Sequence, residues 1–189
     1  MATAEQFKED LHYVRGVLEK GRQGHFSWAV ALLWAAFVLA GFAMIDLRPQ
    51  TAGLFFLFGA PVCYLISLRL GYRAAVHAGI GDRAMGWRHA LHWGSIFLGM
   101  AALLAVSRAG GVDGPLFGQL IVILVGVIYF LGGVHFQIKP FLWLGPLMMA
   151  GAVALGYVDG LPWTALGVLA AVGILTSAVS RPSLPRGEV

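Results

Sequence analysis

A chain of 189 residues that is 59% hydrophobic and only 12% charged, where a water-soluble domain carries about 25% charged residues, excludes a soluble fold. The formal charge of +4 does not point to nucleic acid, because the Lys and Arg residues gather at the ends of apolar stretches and do not cover one polar face. Membrane orientation and attraction to anionic lipid heads account for them.

In chain order, residues 1–24 come first. Thr3 and Gln6 have the spacing of a capping box. Phe7, Leu11, Val14 and Leu18 then recur at helical intervals between charged residues, which predicts a short amphipathic cytoplasmic helix ending near Gly21 and Gly24. Its apolar stripe is expected to contact lipid or a partner.

Six apolar stretches follow, at residues 26–45, 51–68, 89–106, 116–134, 140–158 and 163–180, and none contains Asp, Glu, Lys or Arg. Each has roughly the 17–25 residues that a helix needs to cross ~30 Å of hydrocarbon. Lys8, Arg15, Lys20, Arg22, Arg69, Arg73, Arg83, Arg88, Lys139, Arg181 and Arg186 fall on one side of the alternating stretches, and Arg48 and Arg108 on the other. Cationic side chains beside a membrane segment resist translocation, so the richer side is cytoplasmic. The expected class is an all-α integral membrane protein with six transmembrane helices and both termini inside. Residues 25–180 form the membrane domain and 181–189 a mobile cytoplasmic tail, in the cytoplasmic (inner) membrane of a bacterium. The first stretch exceeds the ~7–15 apolar residues of a signal peptide and lacks a small-residue cleavage site before Asp46, so it stays as an anchor.

The second stretch is expected to continue as helix past the bilayer, since Arg69, Arg73 and His77 repeat every four residues with no breaker before Gly79. This cationic stripe suits lipid heads, or a salt bridge to Glu5 or Glu9. In the outer loops Asp46 precedes Pro49, Asp113 precedes Pro115 and Asp159 precedes Pro162. Asp closes a turn or caps the next helix, and Pro suits a first helical turn. The echo of these loops fits three related hairpins and fits convergent turn chemistry equally well. Ala31 and Ala35, Ala36 and Ala40, Gly167 and Ala171, and Gly173 and Ser177 stand at spacings for close helix contact. Trp28, Trp87, Trp93 and Trp143 are expected at the cytoplasmic interface, Tyr157 and Trp163 at the outer one.

All six histidines map to the cytoplasmic side. His89 and His92 share a helix face, and His135 ends the fourth stretch at similar depth, so imidazoles converge where they can ligate a metal or haem iron. The run Arg88-His89-Ala90-Leu91-His92-Trp93 resembles the Arg, Leu-His-Trp opening of the first helix of bacterial b561-type cytochromes, whose histidine ligates haem. The resemblance covers about six residues and implies His92 as an axial ligand of a haem b. That family places further histidines deep in facing helices, whereas here the fourth stretch offers only His135 at its end.

Transport has a different trace. The second stretch is interrupted by Gly59-Ala60-Pro61 and the fifth by Gly145-Pro146, segments that correspond in a three-plus-three inverted repeat. Pro61, Tyr64, Gln119 and Pro146 would line a cavity for a neutral or lipophilic molecule; the lack of ionisable residues in the stretches argues against ion coupling. Catalysis finds no constellation, since Ser67 and Ser95 have no carboxylate nearby and the histidines lie ~30 Å from the loop aspartates. Cys63 is alone, so no intrachain disulfide forms. The expected role is a non-catalytic assembly, accessory or regulatory subunit that contacts lipids and a membrane-protein partner or further copies of itself. A transporter, or a haem- or metal-binding protein, is the alternative.

Overall fold

The computed structural model describes residues 27–77, 83–110, 112, 114–159 and 162–179, with positions 5, 6, 11 and 16. Glu5, Gln6, Leu11 and Gly16 are helical, whereas Phe7, Val14, Leu18, Asp113 and the 181–189 tail lie outside the described residues. Six helices carry the rest, with no strand among the described residues: α1 Trp28–Leu47, α2 Pro49–His77, α3 Arg83–Gly110, α4 Gly114–Phe136, α5 Lys139–Ala154 and α6 Trp163–Val179.

Four of them, α1 to α4, are long and apolar enough to cross a membrane. The sequence led us to expect six spans of similar length, but α5 has 16 residues and α6 has 17, about 24 and 26 Å of axis. Part of the difference at α5 is a change of winding and not an end. Leu155, Gly156, Tyr157 and Val158 donate backbone bonds back to Gly151, Val153 and Ala154, so a tightened turn carries the chain on to Val158.

Sequential helices pack antiparallel and α6 returns to α1, closing a ring in which α2 and α3 make the thinnest contact. The antiparallel sense is fixed by paired contacts: the Trp34 indole donates to Ser67 (2.8 Å), the Tyr64 hydroxyl to the Ala90 carbonyl (2.6 Å), and Gly173 meets Leu144 while Gly151 meets Leu166. The core lies among α1, α4, α5 and α6, where Ala31, Phe141, Ala152, Ala170 and Ile174 are sealed. Small residues set the closest approach. A Cβ on Gly145 would stand 2.5 Å from the Gly126 carbonyl, and one on Gly126 would stand 2.8 Å from that of Gly145, so α4 and α5 touch backbone to backbone as small residues permit in membrane bundles.

Three expectations change at this level. Ala31 and Ala35 are buried, but Ala36 and Ala40 face outward, because the α1 face toward α6 passes through the first pair and misses the second by about 140° of rotation. Trp93 is half-buried against Tyr129 and Phe141, with ring centroids 5.1 and 5.7 Å away, and Trp163 sits on Phe42 at 6.0 Å. Both are partly buried and pack against the core, whereas Trp28, Trp87, Trp143 and Tyr157 are exposed. Asp46 does not cap the helix that follows it. Its carboxylate accepts the backbone N–H of Trp163 (3.1 Å) and of Thr164 (2.8 Å) and the Thr164 hydroxyl (2.6 Å), so it caps α6 across the α1–α6 seam that closes the ring. The α1–α2 link is instead closed by Arg48, whose carbonyl accepts Thr51 and Ala52 N–H, with Pro49 opening α2.

Candidate functional site

The three candidate histidines converge at the seam between α3 and α4. His89 and His92 start one face of α3, and His135 and Phe136 end α4. The Phe136 ring stacks on His89 at 3.7 Å between centroids and meets His92 edge-on at 5.1 Å; His92 and His135 lie 5.6 Å apart, near perpendicular. His92 reaches into α4, where its Nε2 is 3.1 Å from the Ile128 carbonyl. A carbonyl only accepts, so Nε2 carries the proton and Nδ1 is the basic nitrogen. By the same argument His89, with Nδ1 3.1 Å from Met85 O, keeps its proton there.

Gly132 makes this insertion feasible. A Cβ at that position would stand 3.0 Å from His92 Nε2 and 3.4 Å from the Trp93 ring. Its neighbour Gly133 does the same on the other side of α4, where a Cβ would stand 2.8 Å from the Leu142 backbone nitrogen. The pair therefore lets α3 enter α4 from one side and α5 from the other. Gly132, Phe136 and the Ile128 carbonyl were not singled out from the sequence; the Gly132-Gly133 pair was the available signal.

The cluster is packed and does not present a slot. A porphyrin needs two imidazoles across a flat gap, and here the Phe136 ring fills the space beside both His89 and His92. In this arrangement the residues do not fit a haem. Among the described residues, no group of three His, Cys, Asp or Glu stands at metal-binding distance.

The transporter residues are dispersed. Pro61 and Pro146 are exposed on the outside of the bundle. Tyr64 is spent on α3 through Ala90, and Gln119 lies against Gly156 beyond α5, where a Cβ would stand 3.0 Å from its amide nitrogen. The glycines beside the two prolines have packing partners: a Cβ on Gly59 would meet the Phe37 ring at 2.5 Å, and Gly145 touches α4. Close packing thus accounts for both interruptions. Of the partner-contact candidates, Leu11 is exposed, and so are Arg69 and Arg73.

With this geometry in hand, comparison with protein-family models, curated proteins and solved structures finds no match in any of the three.

Proposed function

We propose that the chain is a six-span membrane module with both termini on the arginine-rich, cytoplasmic side of a bacterial inner membrane, acting non-catalytically as an assembly, accessory or regulatory subunit. The continued winding to Val158 supports a fifth span, and the antiparallel ring supports ends on one side. The observation that carries the role is α3. None of its 28 residues is buried, and Leu91, Leu98, Leu104 and Val106 are exposed at several points around it, while α2 contributes little cover. Among the described residues this flank is therefore an apolar surface that the bundle leaves uncovered. A membrane-embedded protein seated on α3 is the reading it favours.

A photoreactive amino acid at Leu98, 76% exposed, tests it in native membranes. A discrete protein adduct from Leu98, absent from the same probe at Val168 on α6, is expected. Lipid adducts alone at Leu98, or a purified monomer that keeps an activity by itself, overturn it. An adduct at twice the mass of the chain identifies the partner as a second copy.

A further inference from the structure

We infer that the arginine-rich end of α2 binds an anionic phospholipid, with the phosphate on Arg69 and Arg73 and an acyl chain along Leu65, Ile66 and Leu68. This does not rest on a protein partner at α3. A shallow groove of about 560 Å³ runs here, lined by Leu65, Ile66, Leu68, Arg69 and Tyr72. Leu65, Leu68, Arg69 and Tyr72 have i, i+3, i+4, i+7 spacing and share one helix face, with Ile66 and Arg73 beside them. Leu65 and Tyr72 are 64% and 72% exposed, so none of the described helices takes the place of the lipid.

Depth selects the ligand. Arg69 lies about 30 Å along the axis from Pro49, which opens α2, and this equals the thickness of the hydrocarbon core. Tyr72 and Arg73 lie one turn farther. The groove therefore changes from apolar to cationic where a lipid changes from acyl chain to phosphate, and Tyr72 sits at the level where aromatic rings prefer to lie. Two guanidinium groups one helical turn apart suit a phosphodiester, which accepts their paired N–H groups. Neither α2 nor α3 contains an Asp or Glu, so these two helices bring no carboxylate to compete. A zwitterionic head would bring its own ammonium against the two arginines, which favours a net negative lipid.

The full chain, purified in mild detergent, would be titrated with phosphatidylglycerol, phosphatidylcholine or inorganic phosphate, with bound lipid counted by native mass spectrometry. Phosphatidylglycerol is expected to remain on the wild type and on the Arg48→Gln/Arg108→Gln control. Its affinity should fall about tenfold or more in Arg69→Gln/Arg73→Gln, given the attraction each arginine supplies near an anionic head. Leu65→Ser/Leu68→Ser should also weaken it, and inorganic phosphate should not displace it. Equal retention of phosphatidylcholine, unchanged binding in Arg69→Gln/Arg73→Gln, or equal loss in both arginine pairs would overturn the site, the last by reducing it to net charge. Should the variants not fold, a photoreactive phosphatidylglycerol on the wild type decides: adducts within residues 65–73 support the site, and adducts elsewhere sink it.

Discussion

Replacing Asp46 by Ala removes a polar clasp that joins the C-terminal end of α1 to the first turn of α6. Three hydrogen bonds are lost, from Trp163 N–H, Thr164 N–H and the Thr164 hydroxyl. Loss of an N-cap side chain costs about 0.5–2 kcal/mol, and the carboxylate adds about 0.3–1 kcal/mol by facing the positive end of the helix dipole. Because Asp46 is exposed, water recovers part of this, and the expected net loss is about 1–2 kcal/mol. Asp46→Asn keeps one acceptor oxygen and should lose about half as much, and Thr164→Val, which removes only the hydroxyl, about 0.5–1 kcal/mol. Thermal unfolding in detergent, followed by tryptophan fluorescence, reads this out directly, since Trp163 sits at the clasp. The decisive quantity is the coupling in the double variant Asp46→Ala/Thr164→Val. A loss equal to the sum of the two single losses would mean that the side chains do not meet, and the cap of α6 by α1 would be refuted.

Three further outcomes follow from the packing and topology. Gly145→Val should cost more than about 3 kcal/mol, because the α4–α5 backbone contact leaves no room for a side chain, whereas Gly53→Ala, with nothing near its would-be Cβ, should be neutral or slightly stabilising; yield of folded monomer in detergent distinguishes them. Gly132→Ala should destabilise by about 1–2 kcal/mol by pushing against the His92 imidazole, and pairing it with His92→Ala should recover part of that loss. Parallel losses in an unfolding titration would show that His92 does not enter α4. Finally, a membrane-impermeant thiol reagent should label Tyr157→Cys in intact cells and Arg73→Cys only after permeabilisation, over an unlabelled wild type whose single Cys63 is buried. Labelling of both in intact cells contradicts the topology.

Much of the helical framework was legible because hydrophobic length is a coarse, robust signal: the second stretch runs on as helix through Arg69 and Arg73 to His77 as its unbroken pattern predicts. Which face of each helix is covered was not legible, since in a bilayer the outward face is as apolar as the inward one. Ala36 and Ala40 therefore read like Ala31 and Ala35 and turn out on opposite sides of α1. The convergence of His89, His92 and His135 could be anticipated from depth alone, but not the Phe136 ring between them, which depends on the rotation of α4. Asp46 was misread for a different reason. Its local neighbour Pro49 suggested a local cap, and the true acceptor–donor match spans more than a hundred residues.

That span has a consequence for biogenesis. N-terminal elements emerge first during synthesis, and α1 presents Leu39, Phe42 and the Asp46 carboxylate long before Gly167 and Thr164 exist to meet them. The ring can close only when the last helix arrives, and long-range contacts of this kind form late. Until then α1 must be kept from the wrong neighbours by its pairing with α2, through Trp34 on Ser67 and Phe37 beside Gly59 and Phe55. Chains interrupted before Trp163 would leave the α6-facing side of α1 as an open edge, with only its α2 side covered.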